Sequence, residues 1–201
     1  RGNRMVSLVS VASKSAGIKQ YIEDRKDTFV NRELIGKDFK QGDIVNTIIT
    51  CANGETISLR LDTSLPRSYS REFTIRGTKG MYEENTNSVF LDGEKEEFET
   101  VEHYKKVIDN AKQYEEKYLP DYWKNITPEQ LEGHGGMDYF QFDAFFDAIR
   151  ENKPMPIDVY DAASWMVVTA LSEYSIANEN IPVEIPDFTR GEWKTRERFD
   201  V

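Results

Sequence analysis

The sequence predicts an α+β fold: one largely antiparallel, open β-sheet packed with helices. Three observations carry this. Short β-branched or alternating segments fill residues 5–91, helix-period segments fill residues 101–178, and an Asn53-Gly54 pair joins two of the apolar runs. Strands followed by helices, rather than alternating with them, mark an α+β layer and not a doubly wound parallel sheet.

Met5–Ala12 is β-branched and apolar, hence a strand. Residues 17–26 form a short helix, with Ile18, Tyr21 and Ile22 on one face. Residues 43–52 are a second strand. Asn53-Gly54 then signals a tight hairpin, because a type I′ turn needs positive φ at both central residues. Residues 56–61 alternate apolar and polar, as a half-buried return strand does. Residues 71–76 and 80–84 read as strands around the turn Gly77-Thr78-Lys79-Gly80, and Ser88–Leu91 closes the series at Asp92-Gly93. One sheet with one covered face is the expected outcome.

The acid-rich residues 94–102 read as a solvated segment. A helix is expected over 101–117, then a loop between Pro120 and Pro128. Residues 138–150 are helical, with Met137, Phe140, Ala144, Phe145, Ala148 and Ile149 recurring at three and four. Asp158, with Asp161 three residues on, reads as an N-cap for a helix over 159–178. That helix is apolar nearly all round, through Trp165, Met166, Val167, Val168 and Leu171. It is expected to be buried on the sheet, Trp165 included. Pro182 and Pro186 make the tail extended.

The 201 residues suffice for a single domain spanning 1–201 with its own core. A formal charge of −10 opposes a nucleic-acid partner, which needs a basic footprint, and docking on an anionic membrane. No stretch approaches 18 apolar residues. Cys51 is the sole cysteine, so neither an intrachain disulfide nor a cysteine-based zinc site is expected. It sits in an apolar run and reads as a buried structural thiol. One cysteine fits cytoplasm and periplasm alike. The chain starts at Arg1 without methionine and reads as a fragment.

Neither of the two histidines, His103 and His134, has a second histidine beside it, so no metal spacing exists. There is no Gly-x-Gly-x-x-Gly, no phosphate loop and no Gly-x-Ser-x-Gly. Gly133-His134-Gly135-Gly136 does not follow a predicted strand and is rejected as a dinucleotide fingerprint. Asp143 and Asp147 share one helical face and read as its wet side. Two clusters remain. Pro66-Arg67-Ser68-Tyr69-Ser70-Arg71 offers planar guanidinium donors and an aromatic face with a polar tip, a toolkit for gripping a sugar. His134 is a polar ring within a glycine turn at the start of a helix, where backbone N–H groups lack intrahelical partners.

Seven stretches, taken in order, resemble the C-terminal half of the Gfo/Idh/MocA-type oxidoreductases in the branch classed as glycoside hydrolase family 109. They are Arg1-Gly2-Asn3-Arg4-Met5, Asp62 through Arg71, Gly77-Thr78-Lys79-Gly80, Gly133 through Asp138, Asp158 through Ala163, Leu171-Ser172-Glu173, and Pro186 through Gly191. The resemblance implies an enzyme with a tightly bound NAD that cleaves α-linked N-acetylgalactosamine. Its implied route is oxidation at the sugar's C3, elimination, addition of water and return of the hydride. Such chemistry escapes the two-carboxylate rule of most glycosidases.

The family's nucleotide fingerprint and its tyrosine–histidine catalytic segment lie upstream of Arg1, so no catalytic residue is carried over. The implied sugar contact is Tyr69, with Arg67 and His134 in matching motifs. The expected partners are a sugar, an N-terminal Rossmann domain absent from this chain, and a second copy through the open sheet face. This chain by itself is expected to bind no NAD and to be inactive. The C-terminal domain of an NAD(P)-dependent sugar dehydrogenase and a non-catalytic oligomerisation module are the alternatives.

Overall fold

The computed structural model describes residues 2–28, 32–94 and 101–196, without the side chain of His103. Most of the acid-rich segment, residues 95–100, therefore lies outside the described residues. In chain order the elements are β1 (Met5–Ala12), α1 (Gly17–Asp24), β2 (Ile44–Cys51), β3 (Thr56–Asp62), β4 (Thr74–Gly77), β5 (Gly80–Glu83), β6 (Ser88–Leu91), α2 (Val101–Val107), α3 (Lys112–Tyr118), α4 (Asp121–Lys124), α5 (Met137–Arg150), α6 (Val159–Ala177) and β7 (Val183–Glu184). The fold is α+β, and no Rossmann-type unit occurs among the described residues. The chain divides into two compact units, one of Arg1–Pro66 with Asp143–Val201 and one of Arg67–Phe142. The single expected sheet is corrected to two: a four-stranded sheet ordered β3-β2-β1-β7 and a three-stranded sheet ordered β4-β5-β6.

In the first unit all strand pairs are antiparallel. The β2–β3 turn corrects one expectation. Gly54 has φ 96°, whereas Asn53 is not among the residues with positive φ. Gly54 N–H donates to Cys51 O at 3.0 Å and Cys51 N–H donates to Glu55 O at 2.8 Å. This is a three-residue connection with glycine in the left-handed position, not a type I′ turn. α1 starts at Gly17 because the buried Asp43 carboxylate accepts the N–H groups of Ala16 and Gly17, each at 2.9 Å. Those donors have no partner within the helix.

The core is small. Leu8, Ile49 and Ile185 are almost fully buried, and Met5, Val167, Val168, Leu171 and Val183 pack against them. α6 lies over β1 and β7. Between helix and sheet runs a buried polar seam. Thr47 Oγ1 meets Ser10 Oγ at 2.7 Å and Ser172 Oγ at 3.2 Å. Ser175 Oγ accepts the Ser10 N–H at 3.0 Å and donates to Ile181 O at 2.7 Å. Every hydroxyl of the seam is paired, as burial demands.

Two burial expectations fail here. β3 is the edge strand, and its Ile57, Leu59 and Leu61 are exposed rather than half-buried, because α6 packs chiefly on β1 and β7. α6 itself is covered on one side only. Ser172 and Ser175 are buried, but Trp165 is 57% exposed and Met166 73% exposed. Apolar character all round the helix shows that it avoids water, and the sheet supplies cover for one face. Its start is as expected. Asp158 Oδ1 accepts the N–H groups of Tyr160 at 2.8 Å and Asp161 at 3.0 Å, and Asp161 Oδ2 accepts the Asp158 N–H at 3.1 Å, a reciprocal capping box.

In the second unit β4 begins at Thr74 rather than residue 71, and the helix expected over 101–117 is two helices. The break has a tertiary cause. Asn110 Oδ1 accepts the Val89 N–H at 2.7 Å, and Asn110 Nδ2 donates to Val89 O at 2.8 Å, so Asn110 behaves as an added partner for β6. Asp109, at φ 59°, turns the chain towards it. Val107, at the end of α2, and Ser88 are buried.

Candidate functional site

All three residues that the sequence singles out, Arg67, Tyr69 and His134, belong to the second unit. They occupy two distinct local settings, and no described contact joins Tyr69 to His134.

Tyr69 sits in the segment leading into β4. Residues on its C-terminal side fix that segment. Ser70 Oγ bonds to Asn85 Oδ1 and accepts the Glu72 N–H at 2.8 Å. Arg71 bonds to Glu84 through Nε at 2.8 Å and Nη2 at 2.7 Å. Glu84 also accepts the Phe73 N–H at 3.2 Å. That N–H, followed by Arg71, holds the Glu84 carboxyl below its ordinary range, and Glu84 raises Arg71 above its own. With the loop pinned by its neighbours, the Tyr69 ring is left 85% exposed. Arg67 is exposed and its Nη1 reaches Ser68 O at 3.5 Å. The cluster thus presents a phenol and a guanidinium on an anchored loop, able to stack on a sugar face and to hydrogen-bond hydroxyl or acetamido groups.

The His134 turn is built from four consecutive positive-φ residues: Gly133 at 71°, His134 at 50°, Gly135 at 69° and Gly136 at 95°. Gly136 is buried in the base of the turn, where a Cβ would lie 3.1 Å from Gln130 O and 3.4 Å from the Phe140 ring. Phe140 belongs to an aromatic cluster, its centroid 4.5 Å from Trp123 and 5.8 Å from Tyr122. From this base the imidazole projects outward, and its Nδ1 lies 2.9 Å and 3.1 Å from the two carboxylate oxygens of Asp138. Sequence reading missed Asp138 as the partner, although the i,i+4 spacing onto the first turn of α5 was visible. It also missed Glu84 and Asn85 as anchors, because those pairings come from strand register, not from proximity in sequence.

The first unit holds a separate open cleft of about 630 Å³, walled by Trp165, Trp193, Tyr160 and Phe188. Its charged members are engaged within the protein: Arg196 with Asp161, and Arg4 with the carbonyls of Met5 and Ile185. Cys51 is buried, and burial, followed by nearby Glu55, pushes its thiol up, away from nucleophile character. Asp147 pairs with Arg150 at 2.9 Å on the exposed side of α5. Among the described residues no group of three or more His, Cys, Asp or Glu side chains could hold a metal ion, and no helix is long and apolar enough to cross a membrane.

The helix starts bear on anion binding. Every described helix of eight or more residues has a carboxylate in its first turn or at its start: Asp43 at α1, Asp138 at α5, Asp158 and Asp161 at α6. A phosphate needs those N–H groups vacant and no negative charge beside them. The starts of these three helices therefore do not suit a pyrophosphate.

Residues 1–195 match the family described as glycosyl hydrolase 109, C-terminal domain. A glycosyl hydrolase family 109 protein of Stenotrophomonas maltophilia (strain K279a) is 41% identical over 98% of this chain and 41% of its own length. An alpha-N-acetylgalactosaminidase of Tannerella forsythia is 40% identical over 98% of this chain and 40% of its own. A family 109 protein of Parabacteroides distasonis is 38% identical, with coverage of 98% and 40%. The chain thus spans about two-fifths of the length of these relatives.

Proposed function

Because this chain belongs to glycosyl hydrolase family 109, as its C-terminal domain, we propose that it is the sugar-side domain of an NAD-dependent α-N-acetylgalactosaminidase. The observation that carries the reading is Tyr69: a tyrosine 85% exposed on a loop that its neighbours, not its own hydroxyl, hold in place. An ordinary structural tyrosine buries its ring. This one keeps both its face and its hydroxyl available to a ligand.

In this reading Tyr69 and Arg67 grip the N-acetylgalactosamine ring, and His134 offers a further polar contact. The work assigned to this chain is confined to holding and orienting the sugar. The nicotinamide cofactor is assigned to other residues of the longer enzyme, since a carboxylate already stands at the start of each of the three longer helices here. The exposed side of α6, with Val159, Trp165 and Met166, is assigned to contact with that remaining part. The relatives, more than half of whose length lies outside the match, favour such a partner. A second copy of the chain is assigned to the face of the four-stranded sheet opposite α6, where Val11 and Ile48 are exposed.

Titration of the chain with methyl N-acetyl-α-galactosaminide, followed by NMR, tests the reading. Saturable shifts of the Tyr69 ring signals are expected. Shifts confined to residues of the first unit would contradict it.

A further inference from the structure

Beyond the sugar contact itself, the geometry of the α5 start defines how His134 makes it. We infer that Asp138 is a positioning residue for His134: its carboxylate accepts the Nδ1–H, so the outward Nε2 carries a lone pair and accepts a hydrogen bond from a hydroxyl or acetamido N–H of the sugar. The inference rests on the proposed sugar role for its ligand.

Three features of the turn support it. The first is the contact. Nδ1 faces both carboxylate oxygens, at 2.9 Å and 3.1 Å, and an ionised carboxylate can only accept. A neutral imidazole has one N–H, so donating it from Nδ1 leaves Nε2 as the acceptor.

The second is the space made for the carboxylate. A Cβ at Gly133 would lie 2.6 Å from Asp138 Oδ2, so any side chain there would displace it. Gly133 also has φ 71°, which disfavours side chains independently.

The third is the backbone. His134 occupies the left-handed region at φ 50°, an unfavourable conformation for a residue that is not glycine. The buried Gly136 beneath it is seated against Phe140 and Gln130, so the strain is held by packing. Its result is an imidazole with a 75% exposed side chain, fixed at one nitrogen and open at the other.

The consequence is a constraint on substrate. The sugar must bring a donor to Nε2, which a hydroxyl or an N-acetyl N–H does and an ether oxygen does not. The arrangement thereby discriminates free hydroxyl or acetamido groups from their O-methylated counterparts at that position.

The test is long-range ¹H–¹⁵N spectroscopy of the imidazoles, about two pH units above the ordinary histidine value of about 6.5. With only two histidines in the chain, H134Q assigns the signals. The expected result is the Nδ1–H tautomer for His134 in the unsubstituted chain and a shift towards Nε2–H in D138A. G133A, which keeps both side chains and moves the carboxylate, should shift it the same way. Methyl N-acetyl-α-galactosaminide should bind D138A roughly 3- to 10-fold more weakly, the effect of one misplaced hydrogen bond. A predominantly Nε2–H tautomer in the unsubstituted chain, or one unchanged in both variants, overturns the positioning role whatever the sugar does. The expected tautomers with no sugar-dependent shift at either Tyr69 or His134 overturn instead the sugar reading, and with it the ligand named here.

Discussion

The Arg196 guanidinium meets the Asp161 carboxylate through two parallel hydrogen bonds, Nη1 to Oδ1 at 2.8 Å and Nη2 to Oδ2 at 2.7 Å. Asp161 is also the returning half of the α6 capping box. One side chain thus closes the start of the main helix and ties down the tail after β7. Both partners retain only about a quarter of their side-chain exposure, so solvent screens the pair less than a surface one.

Arg196, as the main cause, holds the Asp161 carboxyl below its ordinary range. A depressed folded-state value stabilises the fold above the unfolded carboxylate value of about 3.9. That contribution disappears as pH falls through the lowered folded value. Arg196→Met should cost about 1–2 kcal/mol near neutral pH. Denaturant melts of both proteins should converge only once pH falls below the lowered Asp161 value, where the carboxylate is protonated in both. A difference that stays constant with pH would show that packing, not the ion pair, is lost.

Leu8 and Trp165 should separate sharply. Leu8 is 2% exposed in the core, so Leu8→Ala should cost about 2–5 kcal/mol. Trp165 is the larger side chain, yet it is more than half exposed, and Trp165→Ala should cost under about 1.5 kcal/mol in this chain. Equal losses would mean that α6 packs its tryptophan into the core.

Thr47 sits between two buried hydroxyls. Thr47→Val keeps the shape and strands Ser10 Oγ and Ser172 Oγ, which should cost about 1–3 kcal/mol in a urea melt. A neutral substitution would show that the seam adds no stability.

Calorimetric titration of the chain with NAD should give no binding signal, because a carboxylate stands at the start of each of the three longer helices, where it repels a pyrophosphate. Micromolar binding would contradict that account.

The local elements were legible in the sequence where local chemistry decides them. β1, α5 and the capped start of α6 follow from periodicity and from the Asp158/Asp161 spacing. The elements that escaped were set by distant partners. Asn110 leaves a helical pattern because Val89 offers two backbone bonds. Thr74 rather than Arg71 begins β4, because Arg71 is held by Glu84. Trp165 reads as core because hydropathy reports aversion to water and not which surface relieves it. At the candidate site, the exposure of Tyr69 and the glycine turn around His134 were foreseeable. The carboxylate that orients the imidazole was visible only as a spacing.

The most direct test of the sugar-side assignment is the Tyr69→Phe substitution in the enzyme that carries this domain. Hydrolysis of an aryl α-N-acetylgalactosaminide and thermal melting are measured together. Loss of one neutral hydrogen bond to substrate should lower kcat/KM roughly 2- to 12-fold. The melting temperature should stay nearly unchanged, since the ring is 85% exposed. Unchanged kinetics with a melting temperature several degrees lower would instead make Tyr69 a residue that pins its own loop, and the sugar assignment would be wrong.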